Sequence, residues 1–118
     1  MDAYNVNIFM SGPMTGLPSY NVGSFATVHQ RLIEGTFMGR YVNDIYDPAQ
    51  EYLNNRVSEP EVAMRYSIAS LSSGKYDVLL LLPGWENSKG ARLEREVAMA
   101  IGMKVTTLDE LEEKGYLA

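Results

Sequence analysis

The stretch that most constrains this chain is Tyr76 to Leu82, which reads YDVLLLL and shows no polar alternation after Asp77. A strand with one wet face alternates polar and apolar side chains. One that does not alternate is covered on both faces, as in a parallel sheet wrapped by helices. Pro83-Gly84 ends the run, so its length suits a strand and falls far short of the roughly 18 apolar residues of a membrane span. Such a strand demands helices on either side, and the rest of the sequence supplies them.

Asn5 to Met10 reads as a first strand, ended by Ser11-Gly12-Pro13-Met14-Thr15-Gly16, a loop too rich in Gly and Pro for regular structure. Gly23 to Glu34 places Phe25, Val28 and Leu32 on one helical face, and Gly35 stops it. Tyr41 to Tyr46 is a second strand, cut off by Asp47-Pro48, and Ala49 to Asn55 is a short helix. Ser58 caps a helix running to about Ser73, with Glu61 completing a capping box and Pro60 in the first turn. After the strand at 76–82 come a loop at Pro83 to Asn87 and a helix from Ser88 to Ile101 closed by Gly102. Met103 to Thr106 is a last strand, and Thr107 with Glu110 caps a final helix that Gly115 ends.

Strands and helices thus alternate, which predicts one α/β domain over residues 1–118 with a mostly parallel four- to five-stranded sheet and helices on both faces, flavodoxin-like or Rossmann-like. The 118 residues suit a single domain. The strand at 76–82 should be central, between the first strand and the strand at 103–106. Ligands in such sheets bind beyond the carboxyl ends of the strands, where strand order reverses. The loops at 11–21 and 83–90 belong at that edge.

Composition narrows the function classes. The formal net charge of −5, from 15 acidic against 10 basic residues, argues against broad contact with a nucleic-acid polymer. A mononucleotide stays open, because a few backbone N–H groups hold its phosphate. The chain has no cysteine and one histidine, His29, so neither zinc–thiolate chemistry nor another transition-metal site is expected. The start, MDAYNVNIFM, lacks a basic segment ahead of an apolar one, and a cytoplasmic protein without a secretory signal is the expectation.

Glu94 is the most informative residue. On a helix from Ser88 to Ile101, Leu93, Val97, Ala98 and Ile101 share one side, with Gly90 and Ala91 at its margins, and Glu94 falls in the middle. A carboxylate aimed at a core is costly unless paired or used, so Glu94 is a site candidate near the ligand edge, expected to be buried beside Ser11 to Met14 with a raised pKa. The structural alternative has it reaching an arginine at the rim. Ser88 and Gly90 suit a phosphate at a helix N-terminus, and Ser88 equally suits a plain N-cap. Ser11, Gly12, Pro13 and Met14 form the facing loop, with no P-loop or G-x-G-x-x-G pattern. Met14, Tyr20 and Trp85 could sandwich a base or simply cover the core. His29, with no partner in sequence reach, reads as surface or packing.

The segments Ile8-Phe9-Met10-Ser11-Gly12-Pro13-Met14-Thr15-Gly16 and Asp77 through Glu94, with Pro83-Gly84-Trp85-Glu86-Asn87-Ser88-Lys89-Gly90-Ala91 at its centre, resemble a phage-rich group of small uncharacterised proteins. That group is similar to a branch of the nucleoside 2-deoxyribosyltransferase superfamily, which includes the 2′-deoxynucleoside 5′-monophosphate N-glycosidases. The likeness covers nearly the whole chain. In those N-glycosidases a serine, a glycine two residues on and a glutamate four later form one motif, and Ser88, Gly90 and Glu94 keep that spacing. The resemblance implies that Ser88 and Gly90 contact a 5′-phosphate, that Glu94 attacks the anomeric carbon, and that Ser11 to Gly16 flank sugar and base. It also implies no cofactor, a small-molecule nucleoside or nucleotide as ligand, a homo-oligomer that completes its pocket from a neighbour, and host cytoplasm if the protein is phage-encoded. One departure weighs against activity. The active relatives carry an aspartate on the helix before the third strand, whereas Met64 to Ser73 contains no acid and offers Ser67 or Ser70 instead. A serine hydroxyl hydrogen-bonds a carboxylate but does not serve as a general acid near neutral pH. The alternatives to a glycosidic enzyme are a non-catalytic nucleotide-binding or sequestering protein and a structural protein on the same scaffold.

Overall fold

A computed structural model describes residues 5–14, 21–55 and 59–115. Thr15, Gly16, Tyr20 and Ser58, named above, lie outside the described residues.

The chain runs β1 (Asn5–Ser11), α1 (Val22–Glu34), β2 (Thr36–Phe37), β3 (Arg40–Tyr46), α2 (Pro48–Asn55), α3 (Pro60–Leu71), β4 (Val78–Leu81), a 3₁₀ turn (Trp85–Asn87), α4 (Lys89–Ala100), β5 (Lys104–Thr107) and α5 (Leu108–Lys114). One curled sheet holds all five strands in the order β2-β3-β1-β4-β5. β1 pairs in parallel with β3 and β4, and β4 pairs in parallel with β5. The strand read from YDVLLLL is therefore central, between the two neighbours expected of it.

The short β2 pairs antiparallel with β3 and was not foreseen. Its turn is Met38-Gly39, with φ of +50° and +81°. A two-residue hairpin turn with both φ positive matches strand twist, but methionine carries no sequence signal for that conformation. β4 is also shorter than read. Asp77 instead clamps the start of β1: its carboxylate accepts from the Asn7 amide at 2.9 Å, while its own amide donates to the Asn7 carbonyl at 2.8 Å. α3 begins at Pro60 with Glu59 in the cap position, not Ser58. Pro60 costs nothing there because its missing N–H has no intrahelical acceptor.

Strand alternation sorts the core into two layers. Val6, Ile8 and Met10 of β1 and Val78, Leu80 and Leu82 point to one face, where Phe25, Val28 and Leu32 of α1 and Leu108 and Leu111 of α5 cover them. Phe9, Leu79 and Leu81 point to the other, covered by Leu71 of α3 and Ala91 and Ala98 of α4. Each of the larger side chains contributes about 1.5–3 kcal/mol by leaving water, and the alanines less. After β3 the chain crosses to the far side of β1 to lay down β4, so strand order reverses between β1 and β4. The carboxyl ends of those two strands frame the crevice where this architecture binds ligands.

Candidate functional site

Ser11 closes β1 and lies in register with Leu81 of β4, and the Leu82 amide donates to the Ser11 carbonyl at 2.8 Å. By alternation its side chain follows Phe9 onto the α3/α4 face. Across that crevice stands α4. Gly84, at φ +89°, turns the chain into the 3₁₀ turn, and the Ser88 hydroxyl caps α4 by accepting from the Ala91 amide at 3.2 Å. The cap sets the helix so that Ala91, Glu94 and Ala98 face inward.

Glu94 is thus buried, at 7% exposure, and Ser11, at 1%, donates its hydroxyl to Glu94 Oε1 at 2.5 Å. Burial pushes the Glu94 carboxyl above its ordinary value of 4.5, and the hydroxyls of Ser11 and then Ser67 pull partly against it. Ser67, on α3 and also buried, is the one of the two serines that faces Glu94. Tyr46, at the end of β3, shares the site. It stacks on Phe9 with ring centroids 4.2 Å apart, and burial, then the charges of Glu51 and Glu94, hold its phenol firmly protonated. Sequence reasoning did not single out Tyr46; the one hint was an aromatic closing a strand just before Asp-Pro.

The two edge loops meet as well. A side chain at Gly84 would come within 3.1 Å of Pro13, and one at Gly12 within 3.0 Å of Leu82. The Pro13 carbonyl accepts from Asn21 Nδ2 at 2.9 Å. Residues 6–107, which hold all of the sheet but Asn5 and all of this site, match the family described as Domain of unknown function (DUF4406). The chain belongs to that family. No curated protein and no solved structure matches it.

Other candidates fall elsewhere in the DUF4406 domain. Leu93 and Ile101 are 45% and 49% exposed rather than core-facing. α4 is rolled so that its small residues approach the sheet, and Gly90 abuts Met64 of α3, whose methyl carbon would lie 2.7 Å from an added side chain. That methyl is the free end of a flexible side chain, so the contact shows α3 and α4 to be closely packed at position 90 without making glycine obligatory there. Met14 packs against the α1/α5 core and Trp85 against the α3/α4 core, so these two side chains serve different layers. The Trp85 indole lies 5.4 Å from the Arg95 guanidinium, in the wall of a surface cleft of about 520 Å³ that also includes Met99 and Met103. Neither Glu94 nor Ser11 lines that cleft. The polar groups in its wall include Thr106, which is buried and bonded to Glu110, but no buried carboxylate.

His29 does have a partner. Its Nδ1 lies 2.9 Å from Oδ2 of the buried Asp47, whose Oδ1 accepts from the amides of Ala49 at 3.0 Å and Gln50 at 3.1 Å. The pair ties α1 to the start of α2, and the packing reading of His29 holds with a partner that only the fold supplies. Among the described residues no three of His, Cys, Asp and Glu gather as a metal would require. No helix among them is long and apolar enough to cross a membrane.

Chemically, the site offers one carboxylate anchored by the Ser11 hydroxyl, kept from bulk water, with hydroxyls from three elements around it. Such a group serves as a nucleophile when ionised and as a proton donor when not.

Proposed function

We propose that this protein cleaves or exchanges the N-glycosidic bond of a deoxynucleoside or its 5′-monophosphate, with Glu94 as the nucleophile. The observation that carries the reading is the buried Glu94 carboxylate, hydrogen-bonded to Ser11 at 2.5 Å, at the end of β1 where strand order reverses. The parallel strands, taken in chain order, run second-first-third-fourth, which agrees with a flavodoxin-like arrangement and its ligand crevice at that point.

The carboxylate attacks the anomeric carbon as the C–N bond breaks. The bonding pair leaves with the base, which takes up a proton, and the sugar remains esterified to Glu94. Water, or the nitrogen of a second base, then attacks the same carbon, and Glu94 departs as carboxylate while the incoming group loses a proton. This is the double displacement of retaining glycosidases. A 5′-phosphate would take the first-turn amides of α4 and the Ser88 hydroxyl, groups suited to an anion. No metal or redox cofactor enters these steps. Exposed Leu93 and Ile101 on α4 and Tyr66 on α3 are apolar surface that a homo-oligomer would cover.

Ser67 favours a second reading. Where a proton-handling acid would stand beside Glu94, the chain has a hydroxyl, and a protein that binds and sequesters a nucleotide without turnover needs no such acid. Loss of general acid–base help slows an enzyme by about 10²–10⁴-fold without silencing it, so the enzyme reading stands first. Chromatographic measurement of free base after long incubation with deoxynucleosides and their monophosphates separates the two. Release by wild type that Glu94→Gln lacks supports the enzyme. Calorimetric binding with equal background release from both proteins assigns the pocket to sequestration.

A further inference from the structure

The glycosidic reading leaves open what keeps Glu94 in working order inside the core. Among the described residues no cation forms an ion pair with it: the five pairs are His29–Asp47, Arg31–Glu112, Lys75–Asp44, Arg95–Glu96 and Lys114–Glu110. A buried carboxylate without a cation depends on hydrogen-bond donors for whatever charge it carries. Two hydroxyls are in place, and they are not equivalent.

Ser67 Oγ lies 3.1 Å from the Met64 carbonyl one turn back on α3 and 3.6 Å from the Met64 sulfur. A hydroxyl has one proton, so Ser67 divides it between the helix and Glu94. When its proton is on the Met64 carbonyl, Ser67 presents a lone pair to Glu94, which suits a protonated carboxyl rather than a carboxylate. Ser11 is under no such competition: the hydrogen bond of its hydroxyl runs to Glu94 Oε1 alone. Its position is also the better fixed. β1 is flanked by paired strands on both sides, and the Ser11 carbonyl is held by the Leu82 amide.

Resting on that glycosidic reading, we propose that Ser11 is the positioning residue of the site: its hydroxyl anchors Oε1 of Glu94 in the charged form and leaves Oε2 as the attacking atom. Ser11 then acts through Glu94, and is not one of the residues flanking sugar and base. The titratable group beside Glu94 is Tyr46 from β3, with Glu51 of α2 and Tyr76 behind it; α3 contributes the Ser67 hydroxyl and β1 the Ser11 hydroxyl. Because the phenol stays protonated, the Glu94 titration is read without a second charge changing beside it.

The experiment is a titration of the Glu94 carboxyl carbon by ¹³C NMR in full-length protein, assigned with Glu94→Gln, in wild type, Ser11→Ala, Ser11→Thr and Ser67→Ala. The expected result is a midpoint that moves further upward in Ser11→Ala, moves less in Ser67→Ala and returns towards wild type in Ser11→Thr. In parallel, kcat for base release by Ser11→Ala should fall about tenfold below the midpoint, with KM changed by less than about twofold, and the loss should shrink as pH rises. Should Ser11→Ala fail to fold, a deuterium isotope shift on the wild-type Glu94 carboxyl carbon reports the same hydroxyl proton. An unchanged midpoint in folded Ser11→Ala, or no isotope shift in wild type, overturns the proposal. A wild type that releases no base overturns the glycosidic reading instead, and the titration still decides whether Ser11 governs Glu94.

Discussion

On the α1/α5 face of the sheet, Val6, Ile8 and Met10 of β1 meet Phe25, Val28 and Leu32, and every one of those side chains is apolar. On the α3/α4 face the same strand presents Phe9 and then Ser11, which meets Glu94 and the neighbouring Ser67 and Tyr46. One strand thus feeds a dry layer and a layer with a carboxylate at its upper end. The dry layer keeps a buried carboxylate at its margin, where Asp47 is satisfied by His29 and the amides of Ala49 and Gln50, and gains stability from its apolar contacts. The other gives up part of that gain to hold a charge away from water, and stable proteins tolerate such a cost chiefly where function uses it. If this division is real, damage to one face should show as lost stability and damage to the other as lost chemistry.

The largest expected effect is on chemistry. Glu94→Gln keeps the shape and loses the nucleophile, so base release should fall by at least about 10³-fold while the thermal midpoint holds or rises. Phe25→Ala is the opposite case. Phe25 is fully buried, and its truncation should cost about 3–5 kcal/mol in denaturant unfolding while kcat per folded molecule stays near wild type. A Phe25 variant that loses kcat in proportion, or a Glu94→Gln that unfolds, would erase the distinction between the faces.

The distinction was partly legible in the sequence. Periodicity is a local property, so the YDVLLLL strand, the helix at 22–34 and the Thr107 cap could be read directly, as could an acid among the inward residues of α4. What depended on the meeting of distant segments could not. The roll of α4 follows from how closely Ala91 and Ala98 approach the sheet and how Gly90 accommodates Met64, which turned Leu93 and Ile101 outward. Met38 in a left-handed turn broke its own propensity, and so concealed β2. Asp47 beside His29, Tyr46 beside Glu94 and the assignment of Met14 and Trp85 to different layers are consequences of strand order, which a single sequence does not spell out.

A subtler test uses pH. The folded-state pKa of Glu94 lies above its ordinary 4.5, so the folded protein holds that proton more tightly than the unfolded chain does. The stability this provides is complete below 4.5 and is lost as pH rises through the folded-state value. Activity by the ionised nucleophile runs the other way and rises through the same value. Thermal melts across that window should show wild type losing stability relative to Glu94→Gln, with the loss levelling off where the acid limb of the rate does. Parallel pH profiles for the two proteins would mean that Glu94 ionises without strain, and the polar face would then carry no cost for its chemistry.

The smallest effect expected separates capping from binding at Ser88. The Ser88 hydroxyl accepts from the Ala91 amide at 3.2 Å, and the Thr107 hydroxyl accepts from the Glu110 amide at 3.1 Å, so the two serve their helices alike. Losing either cap to alanine should cost about 1 kcal/mol. They differ in surroundings, because α4 starts at the crevice and α5 packs below the dry face. The Ser88 hydroxyl accepts one bond and keeps its own proton to give, and the first-turn amides of Lys89 and Gly90 precede any intrahelical acceptor. A 5′-phosphate seated there would receive all three. Ser88→Ala should then raise KM for a deoxynucleoside 5′-monophosphate severalfold and leave KM for the free deoxynucleoside unchanged, whereas Thr107→Ala should alter neither. Equal KM shifts for both substrates in Ser88→Ala would instead trace to a displaced α4 and Glu94. No shift for either would make Ser88 a helix cap alone, and would place any phosphate recognition on backbone that side-chain replacement does not reach.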